Sequence, residues 1–324
     1  MSTAIAEFPS PNSPPAVKKP EPARPRAIAS KLKAKSPALH EPTKPKILIF
    51  GPPGVGKTWF SLDFPACYYI DTEAGAARTH YMDKLTKSGG MVMGPEEGAL
   101  DFDTVIGQLQ ALTTEKHAFK TVVIDSISKL YNVAIAMEAA RLGDKDVFGA
   151  SKKPAIAAMR QLVNWINRMD MNVILISHQK EEWGQDAKGD RVQIGHTFDA
   201  WDKLAYELDL AVQVAKQGPT RVGIVKKSRL VGFPDNDRFE FAYPVFAERY
   251  GKDIIEKAPA PVELASADQV SEIVRLVDLI KLPEEEVQKW HNKAGVATWA
   301  EMSSDQAKKI ISHIQNKITP AAAV

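Results

Sequence analysis

The octapeptide Gly51-Pro52-Pro53-Gly54-Val55-Gly56-Lys57-Thr58 decides how the rest of the chain is read. It satisfies G-x-x-x-x-G-K-S/T at every fixed position. The preceding Ile47-Leu48-Ile49-Phe50 is a continuous apolar run, as expected of a buried strand, and Trp59-Phe60-Ser61-Leu62 can continue as a helix. Strand, glycine loop and helix form the context in which such a loop cradles phosphates. Its glycines let backbone N–H groups turn inward, and a helix opening at Lys57 adds the positive end of its dipole. The Lys57 ammonium is then expected on the β- and γ-phosphates of ATP, and the Thr58 hydroxyl on Mg2+. The nine residues from Gly51 to Trp59 make up the expected nucleotide-binding set.

Composition bounds what surrounds this loop. At 324 residues there is room for one large domain and additions, and 44% hydrophobic residues suffice for a sizeable core. A net charge of +2 confines any nucleic-acid surface to a local patch. The single cysteine, Cys67, excludes an internal disulfide and reads as a small buried hydrophobe in Ala66-Cys67-Tyr68-Tyr69-Ile70. No apolar run has the length of a membrane span, and no signal-peptide core is present, so a soluble cytoplasmic protein without a membrane partner is expected.

Residues 1–44 read as a tail. Nine prolines between Pro9 and Pro42 forbid regular structure, and lysines and arginines outnumber acids. The tail is either a solvated linker or a basic arm for nucleic acid or a partner. From 45 to 256 the pattern becomes a core in which strands at 46–50, 67–71, 120–125 and 172–177 alternate with helices near 57–63, 102–115, 127–141 and 154–169. The expected fold class is therefore α/β, with a mostly parallel sheet. Strands at 208–215 and 221–227, joined through Gly218-Pro219, add a terminal antiparallel hairpin. A Pro/Ala linker at 257–265 leads to a small helical unit over 266–318. Its punctuation is explicit: capping boxes at Ser266/Gln269 and Ser303/Gln306, Pro283 before Glu284-Glu285-Glu286, and Gly295 as a stop.

Hydrolysis needs more than a phosphate loop. Thr121-Val122-Val123-Ile124-Asp125 ends an apolar strand in an acid suited to the magnesium shell, although a strand-end Asp can also be structural. Ser126 stands where many such enzymes carry a glutamate, so the base is sought at Glu73, after the second strand, with Asp71 as the competitor. His178, after Ile174-Leu175-Ile176-Ser177, is either a γ-phosphate sensor or an ordinary strand-end histidine. The segment 181–199 reads as a long polar loop in which Trp183, Lys188 and Arg191 suit single-stranded nucleic acid; a substrate lid would look similar. Lys227 and Arg229, at the end of the hairpin, are either solvated or reach a neighbouring subunit's phosphates.

Taken in order, these residues resemble the RecA-type recombinase core over about 45–250. The phosphate loop is the specific match. Tyr69-Ile70-Asp71-Thr72-Glu73 lies where that family has its catalytic glutamate, and Val122-Val123-Ile124-Asp125-Ser126 is similar to its second nucleotide motif. Ile176-Ser177-His178 stands at the phosphate-sensing position, with His where Gln is usual, and Lys227-Ser228-Arg229 resembles the paired cations that contact ATP across a subunit interface. Within the family the short core and helical C-terminus look most like phage-encoded RecA-like ATPases of single-strand annealing. The resemblance implies a homo-oligomer that binds single-stranded DNA and ATP and promotes recombination or annealing in a host cytoplasm. A loader acting on a replication, helicase or single-strand-binding protein through the C-terminal helices is the alternative. Phe8-Pro9-Ser10-Pro11 offers no clear polymerisation motif, which leaves filament and ring both open.

Overall fold

The computed structural model describes residues 42–75 and 79–318, so the tail expected at the N-terminus lies outside the described residues up to position 41. The order runs β1 (Lys46–Phe50), α1 (Lys57–Ser61), β2 (Cys67–Asp71), α2 (Thr79–Lys87), β3 (Met91–Met93), α3 (Phe102–Thr114), β4 (Thr121–Asp125), α4 (Ile127–Leu142) and α5 (Lys152–Arg168). Then follow β5 (Asn172–Ser177), β6 (Gln179–Gln185), β7 (Arg191–Phe198), α6 (Leu204–Glu207), β8 (Leu210–Gln217), β9 (Thr220–Ser228) and β10 (Arg238–Glu240). Five helices complete it: α7 (Tyr243–Tyr250), α8 (Lys252–Glu256), α9 (Ala267–Leu279), α10 (Glu284–Ala294) and α11 (Ser304–Ile318).

Eight strands form one sheet in the order β10-β9-β8-β1-β5-β4-β2-β3. β1 pairs in parallel with β5 and β8, and β4 pairs in parallel with β5 and β2, whereas β9 and β10 run antiparallel. The expected α/β class, a mostly parallel sheet ending in an antiparallel hairpin, is the one observed. β1 sits centrally because all of its apolar side chains have somewhere to go. Leu48 and Phe50 join a core shared with α3, α4 and α5, while Ile47 and Ile49 join a second core built with Phe60, Phe64 and Phe246. Burying each contributes about 1.5–3 kcal/mol, which makes a continuous apolar run stable only between two covered faces.

Parallel strands place their carboxyl ends on one edge. Phe50 lies opposite Ser177, Asp125 opposite Ile176, and Asp71 opposite Asp125. Everything that follows β1, β2, β4 and β5 therefore emerges together.

The segment 181–199 is not a loop. It belongs to an antiparallel pair, β6 and β7, that forms its own two-stranded sheet. The pair carries no fully covered face, so its sequence shows no apolar alternation. Its tip is built by Asp186, whose Oδ1 accepts from the N–H groups of Lys188 (2.8 Å) and Asp190 (2.9 Å). The short α2, β3 and β10 were likewise unmarked in the sequence.

At the C-terminus both capping boxes form. Ser266 Oγ accepts from Gln269 N–H while Gln269 Oε1 accepts from Ser266 N–H, and Ser303 and Gln306 repeat the exchange. Gly295 ends α10 in the left-handed conformation. A main-chain hydrogen bond from Val262 N–H to the Thr113 carbonyl and a side-chain one from Arg168 Nη2 to the Glu301 carbonyl tie this region to α3 and α5. No described helix is long and apolar enough to cross a membrane.

Candidate active site

The phosphate loop leaves β1 at Gly51, and the glycine there is a packing requirement. A Cβ would lie 2.5 Å from the Val214 carbonyl oxygen of β8. Gly56, at φ +93°, turns the chain into α1 in a conformation that side-chain-bearing residues rarely adopt. Lys57 Nζ donates to the carbonyls of Gly51 (2.8 Å) and Pro52 (3.0 Å), which holds the ammonium inside the loop's mouth. Burial pulls its pKa below the ordinary lysine value, and Asp125 and Glu73 act in the other direction.

Asp125 is the anionic centre of the floor. Its Oδ2 accepts from Thr58 Oγ1 (2.6 Å) and Tyr69 Oη (2.9 Å). Burial raises its pKa; the two hydrogen bonds lower it, and the nearby Glu73 and Asp71 carboxylates raise it further. Thr58 and Asp125 fit a magnesium ion that keeps phosphate and water oxygens as its remaining ligands, since such an ion takes only one or two carboxylates from the protein. No group of three His, Cys, Asp or Glu able to cage a metal occurs among the described residues.

Beside Asp125 stands a second cluster. Glu73 Oε1 accepts from Ser126 Oγ (2.5 Å) and lies 2.6 Å from His178 Nε2, with Ser126 Oγ and His178 Nε2 3.4 Å apart. The glutamate is thus carried on the end of β2, the serine on β4 and the histidine on β5. His178 is oriented from its main chain, where its N–H donates to Ser128 Oγ (2.9 Å). Asp71 has a different task. Its Oδ1 accepts from the N–H groups of Glu73 (3.0 Å) and Gly75 (3.2 Å), so its buried carboxylate shapes the turn that presents Glu73.

These groups line one cavity of about 480 Å³, walled by Pro52, Pro53, Gly54, Lys57, Thr58, Asp125, Glu73 and His178 among others. Trp59 stays half-exposed outside it, with Lys84 Nζ 3.7 Å above its ring. Val55 is buried against the second core.

Two predicted residues are not brought here. Lys227 and Arg229 donate to the carbonyls of Leu208 and Tyr206. Ala211 pairs with Lys227, and Leu210 aligns with Ile47 at the start of β1. Both cations therefore occupy the edge of the sheet opposite the phosphate loop of their own chain.

Two residues that the sequence reading missed do belong here. Gln179 lines the cavity directly after His178, and its Oε1 is buried without a hydrogen-bond partner among the described residues. Arg221 pairs with Lys216 at the phosphate-side end of β8 and β9, and its Nε lies 2.9 Å from where a Gly56 Cβ would be. It makes no ion pair among the described residues.

Residues 43–236, more than half of the chain, match the AAA domain family. The chain belongs to the AAA domain family. Its match spans the AAA-type P-loop ATPase domain from just before β1 to just before β10, and so contains every residue of the cavity. No curated protein matches the chain. Among solved structures, the RadB recombinase is similar at 19% identity over 63% of this chain and 90% of that chain, with a TM-score of 0.39. An ATPase from the type III secretion system of pathogenic bacteria is similar at 14% identity, over 86% and 80%, with a TM-score of 0.39. A flagellar accessory protein, FlaH from Methanocaldococcus jannaschii, is similar at 12% identity, over 61% and 84%, with a TM-score of 0.32.

Proposed function

We propose that this AAA domain protein is a RecA-like, ATP-dependent binder of single-stranded DNA that promotes homologous recombination or strand annealing, coupled to Mg2+-dependent ATP hydrolysis. One observation carries the reading: His178, in contact with Glu73, runs straight into the projecting β6–β7 arm. A change in how Glu73 is engaged at the nucleotide is thereby linked by one residue to a surface that can grip a partner.

Each side chain has a role. Lys57 and the N–H groups of the loop hold the phosphates. Thr58 and Asp125 would hold Mg2+, which would supply positive charge to the phosphates. Glu73 orients a water and takes its proton, with Ser126 and His178 holding its Oε1. Lys227 and Arg229, remote from their own site, act on a neighbouring copy in a homo-oligomer.

On the arm, Trp183 and Ile194 are exposed, and the Arg191 guanidinium lies 4.7 Å from the Trp183 ring centroid. A stacking plane beside a cation suits single-stranded nucleic acid. Lys145, between α4 and α5, and Lys152 and Lys153, which open α5, add charge for phosphates. A second reading, an ATP-driven loader acting on a protein partner, is favoured by the carboxylates Glu181, Glu182, Asp186 and Asp190 that intersperse the arm's cations.

Labelled single-stranded oligonucleotide titrated into wild type and a Trp183→Ala/Arg191→Ala variant separates the two. The DNA reading predicts a loss of affinity of about 5- to 150-fold, from about 1–3 kcal/mol per stacked base. Equal affinity of the two proteins would contradict it.

A further inference from the structure

We propose that the groove between α10 and α11 is a second single-strand subsite, taking one unpaired nucleobase and its flanking phosphates without regard to sequence. This rests on the DNA-binding reading of the ATPase core and extends it to a region outside the family match, which ends at residue 236.

The groove is about 370 Å³ in volume. Trp290, Ala294 and Ile310 form its apolar wall, and Lys293, Lys309 and His313 stand on its rim. The two lysines are exposed and make no ion pair among the described residues, and the His313 ring is set edge-on to Trp290 at 5.8 Å. Carboxylates are plentiful in these helices, from Asp268 and Glu272 to the Glu284-Glu285-Glu286 run, yet none lines the groove. The surrounding helices are thus acidic in part, while the groove presents only positive or neutral groups around an aromatic and aliphatic slot.

The nature of the occupant follows from what the groove lacks. An extended peptide docks through main-chain partners, and most of those at the end of α10 are already engaged. The carbonyls of His291, Asn292 and Ala294 already accept from Val296 N–H, Gly295 N–H and Gln306 Nε2. The Gln306 amide is occupied at both ends, since its Oε1 accepts from Ser303 N–H (2.9 Å). An unpaired base asks for none of this. Its face packs in the slot, and its phosphates meet the lysines.

The test uses the full chain and a fluorescein-labelled oligo(dT) as probe, at low and moderate salt. Lys293→Glu/Lys309→Glu, both exposed and away from the ATP site, is compared with wild type, and DNA-free ATP hydrolysis serves as the folding control. The expected result is at least a ~10-fold weaker binding at low salt. The slope of log K against log salt should become shallower by about 1.4, from ~0.7 per phosphate contact on a single strand. Trp290→Phe should retain binding and Trp290→Ala should lose it. Unchanged affinity and slope in the double variant would overturn the subsite. An acidic peptide bearing one aromatic residue that binds wild type but not the double variant, with oligo(dT) binding intact, would also overturn it and assign the groove to a protein. Wild type that binds no oligo(dT) at any salt would instead sink the parent reading. Wild type that binds while the double variant binds equally sinks only this one.

Discussion

At the scale of single residues, function here depends on carboxylates kept in very different surroundings. Asp71 is spent on the turn, Asp125 is buried with two hydroxyl donors, and Glu73 reaches the cavity held by Ser126 and His178. Glu73→Gln is expected to bind ATP within about threefold of wild type while turnover falls by ~10²–10⁴, the span of a lost general base. Full turnover in that variant would remove Glu73 from the chemistry and return Asp71 to consideration. Lys57→Ala should lose binding itself, measured by the same nucleotide titration. Lys46 provides a check on stability. It is buried and donates to the Met169 and Met171 carbonyls, and desolvation lowers its pKa to about 7 against the pull of Asp209 and Asp170. An unfolded lysine titrates near ~10.4, so between pH 7 and 10 the unfolded chain binds more protons than the folded one. Stability from this group should rise through that window by up to ~1.4 kcal/mol per pH unit and be flat below it. Denaturant unfolding at pH 7, 8 and 9 should show the rise in wild type and a smaller one in Lys46→Met. An undiminished slope in the variant would show that Lys46 is not its source.

At the scale of elements, the β8–β9 hairpin buttresses the phosphate loop from outside, with the Val214 carbonyl against Gly51 and Arg221 against Gly56. Arg221 touches the loop rather than the reacting end marked by Glu73 and His178. Arg221→Ala should therefore raise KM for ATP about 10-fold while leaving kcat within about twofold, the pattern of lost uniform binding. A fall in kcat at unchanged KM would contradict that assignment. The same hairpin shows which elements could be read from sequence. Strands buried on both faces, such as β1, β4 and β5, announce themselves as apolar runs, and capped helices such as α9 and α11 announce their first residues. The β6–β7 arm does neither, because it buries no complete face and its alternation is lost among charged residues. Arg221 was hidden for a related reason: its meaning depends on register against β8, which pairing fixes and composition does not. The phosphate loop, Asp125, Glu73 and His178 were legible because each ends a buried strand, and parallel strands share an edge.

At the scale of the whole molecule, the sheet has a phosphate edge and an opposite edge carrying Lys227 and Arg229. Two such edges on one chain suit a head-to-tail assembly, in which one copy's cations meet the next copy's nucleotide. Mixing Glu73→Gln chains with Lys227→Ala/Arg229→Ala chains should restore about a quarter of wild-type hydrolysis, since random neighbours pair an intact site with intact cations that often. No restoration on mixing would contradict a trans role. The most direct test of the central claim is ATP hydrolysis by the intact chain with and without single-stranded DNA, at low and moderate salt. The account predicts stimulation by DNA that fades as salt rises, because a grip on phosphates releases counterions. Hydrolysis indifferent to DNA at both salts would contradict it and leave the AAA domain driving work on a protein partner instead.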